Sequence, residues 1–424
     1  MVEVKEGAKR RYLLLVLLII YAFSEMDRLA LGLVLQNIKA DLGLSDTQLG
    51  TLSGIAFALF YSVVGIPIAR WADRGNRVTI ISVTVALWSI MVALCGFAAS
   101  FAQLLLIRVG VAVGESGCVP PAHSLIADYF TRAERPRAVA IYLLGGSLSV
   151  VIGYFFAGWL NEFYGWRTMF ITLGLPGLGL SALAWFTLKE PRRDRHSIQI
   201  TPPSQPSPSL KVVCTTFWSN RTFVHLLLAY SVASFFANGI ANWQPTFFVR
   251  SYGLKTGELG TWFTLIYGLG GMVGIYLGGQ WASRRAALNE RLQLRAMALM
   301  YGFFGCISTL IYLSSNLYLA FGLLGFAFVG GAAIVGPMFA MIQTLVPVHM
   351  RATAVALIFL FANLIGMGLG PLVSGALSDA LRPWAGEQSL RYALLLLSPG
   401  YLWAGWHLWR GSSTVTRDLA AVGS

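Results

Sequence analysis

Charged residues are scarce in this sequence. Asp, Glu, Lys and Arg make up 12% of the 424 residues, and hydrophobic residues make up 56%. In an ordinary soluble protein these shares are roughly 25% and roughly 45–50%. The composition excludes a soluble globular protein, because so few charged residues cannot cover the surface of a folded chain of this length.

Cysteine is scarce as well, and the four cysteines form no metal-binding pattern. Cys95, Cys118, Cys214 and Cys306 show neither CxxC nor Cys/His spacing, so we predict no disulfide and no zinc. The glycine-rich runs follow no strand and are therefore not phosphate-binding loops. Polar residues in the apolar runs form no set of nucleophile, base and oxyanion donor. We predict no cofactor and no enzymatic activity.

Acidic residues are outnumbered by basic ones, 18 against 31, which gives a formal net charge of +13. Such an excess often indicates a nucleic-acid partner. The apolar composition argues against that partner here. The distribution of the basic residues along the chain explains their excess instead.

Hydrophobic runs long enough to span a membrane recur along the whole chain. A spanning helix needs about 20 apolar residues, and the alternation typical of a β-barrel is absent. Each run must be helical, because lipid offers no partner to free backbone groups. The sequence predicts an all-α membrane protein with twelve transmembrane helices, at residues 12–38, 46–70, 78–98, 102–128, 138–160, 166–188, 222–249, 257–282, 294–313, 317–346, 353–377 and 390–410.

The basic residues lie mainly in alternate loops. With the amino terminus in the cytoplasm, most Lys and Arg residues fall in cytoplasmic segments, as the positive-inside rule requires. We therefore expect an inner-membrane protein of bacterial type with both termini in the cytoplasm. Cleavage of the first run as a signal peptide would leave an odd number of spans, so we expect this run to be retained.

One segment, 189–220, differs from the rest because it is rich in proline and begins with basic residues. It predicts a cytoplasmic linker between an amino-terminal six-helix bundle, 1–188, and a carboxy-terminal bundle with a short tail, 221–424. A repeat supports two related halves, since RWADR at 70–74 is similar to QWASR at 280–284. Chance similarity between two short basic loops is the alternative.

Charged residues well inside the predicted spans, away from the span ends, are confined to the first half. They are Glu25, Asp27 and Arg28 in the first span and Arg108 and Glu115 in the fourth. An intramembrane charge is costly unless it faces a cavity or a partner. These five side chains are therefore the strongest candidates for function.

Helical geometry separates the roles of these five residues. Arg108 and Glu115 share one helix face because they are seven residues apart, and Glu25 can pair with Arg28 three residues later. Asp27 points elsewhere and needs a cavity or a partner on another helix. We predict that Asp27 and Glu115 exchange protons and that Arg28 and Arg108 bind an anionic headgroup. A permanent ion-pair network that only orients two helices is the alternative.

Polar residues in the second half are weaker candidates for substrate contact. They are Asn238, Asn242 and Trp243 in the seventh span and Asn363 in the eleventh. Asparagines in spans also join helices through hydrogen bonds, which is the structural alternative.

The loop after the second span resembles the signature of the major facilitator superfamily, approximately G-x-L-A-D-R-x-G-R-K. Residues 69–78 read ARWADRGNRV, in which Asp73, Arg74 and Arg77 match, while Ala69 and Asn76 replace the two glycines. The resemblance implies a secondary transporter of two six-helix bundles that alternate access to a central site. Carboxylates beside arginines favour protons over sodium as the coupling ion.

The first half is further similar to the spinster branch of this superfamily, which is linked to lysophospholipid and sphingosine-1-phosphate transport. The similar stretches are MDR at 26–28, RVGVAVGE at 108–115, LIADYF at 125–130 and RPR at 135–137. The second half matches only at superfamily level, at 366–371. The resemblance implies a monomeric, proton-coupled carrier of an amphipathic anionic lipid. A carrier of a small soluble organic anion and a lipid-binding receptor or scaffold without transport are the alternatives.

The superfamily resemblance also implies a conformational latch at the cytoplasmic side. Asp73, with Arg74 and Arg77, would hold basic groups and the start of the eleventh span. Asp128 would form a similar gate with Arg135 or Arg137. A solvated basic loop that only sets topology is the alternative.

Overall fold

A computed structural model describes residues 2–131, 134–191, 210–286, 289–347 and 350–423, and these residues form helices without strands. The helices are α1 (Val2–Leu42), α2 (Asp46–Ser53), α3 (Ile55–Arg74), α4 (Arg77–Cys95), α5 (Phe101–Glu115), α6 (Val119–Tyr129), α7 (Arg135–Val150), α8 (Ala157–Thr187), α9 (Leu210–Ser219), α10 (Arg221–Tyr252), α11 (Thr256–Phe263), α12 (Gly270–Arg285), α13 (Glu290–Leu313), α14 (Leu317–Thr344), α15 (Arg351–Phe361), α16 (Gly370–Ala385), α17 (Ser389–Leu397) and α18 (Tyr401–Gly423). Three π-helical turns, Val151–Phe156, Thr264–Leu269 and Ala362–Leu369, join α7 to α8, α11 to α12 and α15 to α16. The all-α prediction is confirmed.

Nine apolar helical stretches in the described residues are long enough to cross a membrane. Two of them, Arg137–Thr187 and Thr353–Ala420, are 51 and 68 residues long. Each contains a glycine at positive φ, Gly165 at 80° and Gly386 at 56°, where other residues would be strained. Both glycines lie where the sequence predicts a break between spans. With these breaks, and with α1 counted, the structure is consistent with twelve spans.

The chain divides into two compact units. Unit 1 comprises Met1–Ile200 and Gly253–Thr264, and unit 2 comprises Thr201–Tyr252 and Leu265–Ser424. Most of the predicted linker, residues 192–209, lies outside the described residues. The described chain resumes with α9, which directly precedes α10.

Close helix packing shapes unit 1, where α4 packs against α5 and α8. A Cβ added to Gly174 of α8 would lie 2.6 Å from the backbone nitrogen of Ala93 and 2.8 Å from the carbonyl oxygen of Ser89. A Cβ on Gly114 of α5 would lie 2.7 Å from the backbone nitrogen of Trp88. Small residues at these positions allow the backbones to approach, as in other membrane helix pairs.

Gly174→Ala is expected to lower the free energy of unfolding by about 1–3 kcal/mol, because the added methyl group meets backbone atoms that cannot rotate away. Thermal unfolding in detergent measures the effect. Gly179→Ala is the matched control, since no atom lies within 4 Å of a Cβ at that position of the same helix. Equal stability of the two variants would contradict the packing argument.

The segment Gly253–Thr264 is anchored to α8 within unit 1. Glu162 Oε2 accepts a hydrogen bond of 2.8 Å from the backbone N–H of Gly257, and Asn161 Nδ2 donates one of 2.9 Å to Thr256 Oγ1. A Cβ on Gly158 would lie 2.5 Å from the carbonyl oxygen of Thr256. The start of α11 is therefore held by both side-chain bonds and close backbone packing.

In unit 2, α10 packs against α18 and α13 packs against α14 and α18. Their contacts form one hydrophobic cluster, which includes Phe223, Met297, Met338, Ile358 and Leu408. Unit 2 thus has a hydrophobic core of its own among the described residues.

Candidate functional site

The five intramembrane charges predicted from the sequence meet in unit 1. Asp27, Arg108 and Glu115 are each 1% exposed, and the side chains of Arg28 and Glu25 are 23% and 28% exposed. Three of the five charges are thus removed from solvent, which requires them to be compensated by one another.

Two ion pairs connect α1 with α5. Arg108 Nη1 of α5 pairs with Asp27 Oδ2 of α1. Arg28 of α1 donates to Glu115 Oε2 from Nη2 at 2.6 Å and from Nε at 3.1 Å. Arg28 also pairs with Glu25 at 3.4 Å, which confirms the pairing expected three residues apart.

Each buried carboxylate in this cluster uses one oxygen and leaves the other free. Asp27 Oδ1 and Glu115 Oε1 are buried and receive no hydrogen bond from the described residues. The two carboxyl groups interact electrostatically with each other. A hydrogen bond between them would require a proton on one of them, because an ionised carboxylate has no donor.

Aromatic rings of α3 complete the surroundings of the two arginines. The guanidinium carbon of Arg28 lies 4.4 Å from the ring centre of Phe57 and 5.2 Å from that of Tyr61. Arg108 lies 5.5 Å from the same Phe57 ring. Rings at this distance attract a cation. Sequence reasoning missed Phe57 and Tyr61, although their spacing of four residues places both on one helix face.

The asparagines predicted to contact the substrate lie in unit 2, and they differ in their hydrogen bonds. Asn238 Nδ2 donates to Ser234 O at 2.9 Å, which is a bond within α10. Asn242 Oδ1 is buried without a hydrogen-bond partner among the described residues, and Asn363 is partly buried in the π-helical turn after α15. Asn242 is therefore the candidate with an unused polar atom.

The structure corrects the prediction that Trp243 contacts the substrate. Its side chain is fully buried, and the indole N–H donates to the carbonyl oxygen of Pro371 at 2.9 Å. The residue joins α10 to α16 inside unit 2, so we remove it from the substrate-binding set. A neighbouring polar group that sequence reasoning missed is Gln244, whose amide donates to Tyr312 Oη at 3.2 Å and accepts from Tyr267 Oη.

A second charged cluster surrounds Arg77 at the start of α4. Its guanidinium pairs with Asp128 of α6 at 2.7 Å and with Glu190 after α8. It also donates to the carbonyl and hydroxyl oxygens of Ser124, each at 3.0 Å. Glu190 Oε2 further accepts from the backbone N–H of Arg77 at 2.7 Å. Arg77 is completely buried and holds three segments of unit 1 together.

This geometry corrects the predicted pairing of Asp128. We expected Arg135 or Arg137 as its partner, but Arg77 occupies that place. Arg135 instead donates to the carbonyl oxygens of Ala127 and Phe130. Arg74 and Arg137 are exposed, and the side chain of Asp73 lies outside the described part of the structure. Glu190 was missed by sequence reasoning, although it is an acidic residue directly at the end of a predicted span.

Comparison with known proteins identifies the family. A sequence model of the Major Facilitator Superfamily matches residues 17–371. The chain belongs to the major facilitator superfamily. An MFS-type efflux pump of Mycolicibacterium smegmatis is 31% identical to this transporter, over 95% of this chain and 93% of the relative.

A solved structure relates this major facilitator to the spinster proteins. A bacterial homologue of the human lysosomal transporter spinster, in an inward-facing and unoccupied conformation, is 30% identical with a TM-score of 0.83. The alignment covers 97% of this chain and 98% of that chain. A probable L-galactonate transporter of Escherichia coli is 26% identical over 61% of this chain and 59% of the relative. The chain is thus a membrane transporter of the major facilitator superfamily with a spinster-like relationship.

A metal centre is not found among the described residues. The described residues contain no group of three or more His, Cys, Asp or Glu side chains arranged to hold a metal ion. The cluster on α1 and α5 instead combines acids with arginines, which suits the binding of protons and anions.

Proposed function

We propose that this chain is a proton-coupled secondary transporter that moves an amphipathic anion across the inner membrane by alternating access. The anion is a lysophospholipid or a sphingosine-phosphate-like lipid, and the monomer is the working unit. The observation that carries the proposal is the pairing of two buried carboxylates with two arginines on α1 and α5, with one oxygen of each carboxylate left free.

Charge balance supports a proton in this cluster. Arg28 and Arg108 supply two positive charges, and Glu25, Asp27 and Glu115 supply three negative ones. One proton makes the set neutral, which a membrane interior favours. A proton shared by Asp27 and Glu115 would also satisfy both free oxygens.

Competition for Arg28 would couple the anion to the proton. The Arg28 side chain is 23% exposed, whereas its partner Glu115 is buried. An anionic headgroup that reaches Arg28 would compete with Glu115 for the guanidinium. Once separated from its cation, a buried carboxylate is stable only when it is protonated. Binding of the anion would therefore draw a proton onto Glu115 or its neighbour Asp27.

The spinster-like relationship supports a lipid substrate. Beside Arg28, the partly exposed ring of Tyr61 offers apolar surface next to the charge, which suits an amphipathic ligand. In unit 2, the amide side chains of Asn238, Asn242 and Asn363 remain candidates for substrate contact.

A carrier of a small soluble organic anion is the second candidate. The similarity to a probable L-galactonate transporter supports it. A sugar acid would need the same two arginines but no apolar surface.

Proton flux in reconstituted vesicles tests these proposals. Purified protein is placed in sealed vesicles that contain a pH-sensitive dye, and either lysophosphatidylglycerol or galactonate is added outside. We expect only the lysolipid to accelerate proton movement. Acceleration by galactonate alone would favour the soluble-anion carrier. Saturable lysolipid binding with neither proton nor lipid movement would identify a receptor or scaffold and overturn the transport proposal.

A further inference from the structure

The last helix, α18, carries a row of exposed tryptophans. Trp403, Trp406 and Trp409 are 56%, 52% and 46% exposed. Because they are three residues apart, they follow one another along one side of the helix. Exposed indoles of membrane proteins concentrate at the level of the lipid headgroups.

Two arginines flank these indoles. The guanidinium carbon of Arg295 on α13 lies 5.2 Å from the ring centre of Trp409, and that of Arg410 lies 5.9 Å from the ring centre of Trp406. Arg295 Nε is buried and has no hydrogen-bond partner in the described part of the chain. A buried donor without an acceptor costs free energy, so this position favours an acceptor supplied from outside the protein.

No carboxylate of the described residues forms an ion pair with Arg295 or Arg410. Asp418, the acidic side chain on the same helix, accepts instead from the backbone N–H of Thr222 at 2.7 Å and pairs with Arg417 at 3.1 Å. The two arginines therefore leave a net positive charge beside the tryptophan row.

An exposed apolar surface continues from the arginines in one direction. α13 and α18 pack antiparallel, since Arg295 lies beside Trp409 whereas Gly305 lies beside Tyr401. Along α13 the exposed surface continues through Leu299 and Phe303, and along α18 it continues through Trp403 and Leu402. Charge at one end and apolar surface along both helices match the shape of a phospholipid.

We propose that the surface of Arg295, Arg410, Trp406 and Trp409, here called the α13–α18 lipid site, binds the headgroup phosphate of an anionic phospholipid of the surrounding bilayer. The guanidinium groups donate hydrogen bonds to the phosphate oxygens, and the acyl chains lie along Leu299 and Leu402. Basic positions between membrane helices are suited to anionic lipids. This lipid is a bound component of the membrane and not the transported substrate, because none of its contacts belongs to the charged cluster of α1 and α5.

Lipid retention in native mass spectrometry tests this site without a transport assay. The full chain is purified in detergent and offered equal amounts of phosphatidylglycerol and phosphatidylcholine with identical acyl chains. We expect preferential retention of phosphatidylglycerol. Arg295→Gln and Arg410→Gln should each weaken that preference about fivefold and the double variant about 25-fold, since one basic residue near an anionic lipid contributes about 1 kcal/mol.

The controls separate this site from general charge effects. Arg284→Gln removes one exposed arginine from α12 and should leave the preference unchanged. Thermal unfolding in phosphatidylcholine should show that every variant folds. Equal retention of the two lipids by the native chain, or an unchanged preference in the folded double variant, would overturn the proposal. Displacement of the lipid by millimolar glycerol phosphate would overturn it in favour of a soluble phosphate ligand.

Discussion

Asp27→Asn is expected to reduce proton-coupled uptake in reconstituted vesicles to the level of vesicles without protein. Asparagine keeps the size of the side chain but cannot exchange a proton, so the proton-binding position proposed at Asp27 and Glu115 is lost. Ligand-driven proton flux and uptake of labelled substrate, measured on the same vesicles, check the result. Binding of the anion should remain, because Arg28 and Arg108 are unchanged.

The substitution also leaves Arg108 buried without its carboxylate, which alone destabilises a protein by about 3–5 kcal/mol. The double variant Asp27→Asn/Arg108→Gln removes this complication, because it takes out the ion pair as a whole. We expect it to fold and to remain inactive in proton transport. Recovery of coupled uptake in the double variant would show that Asp27 serves only as a partner of Arg108.

Asp41→Asn is the matched control for this experiment. Asp41 lies on the same helix, and its side chain is 44% exposed in an ion pair with Arg167. An exposed ion pair contributes about 0–1 kcal/mol, so this variant should transport at nearly the native rate. Full coupled uptake by Asp27→Asn itself would exclude the proposed proton role.

The helices could be predicted from the sequence because a membrane leaves few alternatives. Hydrophobic runs must be helical, and Gly165 and Gly386 lie between consecutive predicted runs. The assignment of Gly253–Thr264 to unit 1 could not be foreseen. It depends on bonds from Asn161 and Glu162, which lie about 95 residues earlier in the chain, and hydrophobic periodicity carries no information about such contacts.

The charged members of the candidate site were foreseen, but the ion pairs between α1 and α5 were not. Burial of charge in a membrane is costly enough to mark Asp27, Arg108 and Glu115 from the sequence alone. Which acid meets which arginine depends on the register of α1 against α5, and that register is set by packing between helices. In the structure each arginine pairs with an acid on the other helix. Arg28 of α1 pairs with Glu115 of α5, and Arg108 of α5 pairs with Asp27 of α1.

Trp243 and Glu190 show, at single positions, that the sequence does not reveal which groups a side chain contacts. A tryptophan beside two asparagines suggested a polar cavity, yet its N–H is used by the carbonyl oxygen of Pro371. Glu190 is the second residue of the proline-rich segment 189–220, whose composition indicates a linker, yet its carboxylate is bound to the buried Arg77. Composition describes a segment as a whole and cannot identify the one residue that belongs to the neighbouring core.

Arg77→Gln is expected to lower the free energy of unfolding by about 3–5 kcal/mol. The substitution removes the guanidinium that pairs with both Glu190 and Asp128, whose side chains are only 5% and 24% exposed. Removing one partner of a buried ion pair has an effect of this size. Thermal or denaturant unfolding in detergent measures it. Arg74→Gln is the matched control, because this exposed arginine lies in the same loop.

The double variant Arg77→Gln/Glu190→Gln distinguishes a purely structural role of Arg77 from a role in the conformational change of transport. All the described bonds of Arg77 lie within unit 1, so we expect the double variant to recover more than half of the lost stability and to transport at a rate close to native. Recovered stability with a persistently altered transport rate would mean that Arg77 changes partners during the transport cycle. If the double variant transports at a near-native rate, the proposed latch rests on Asp73, and Asp73→Asn should then slow substrate uptake by reconstituted vesicles.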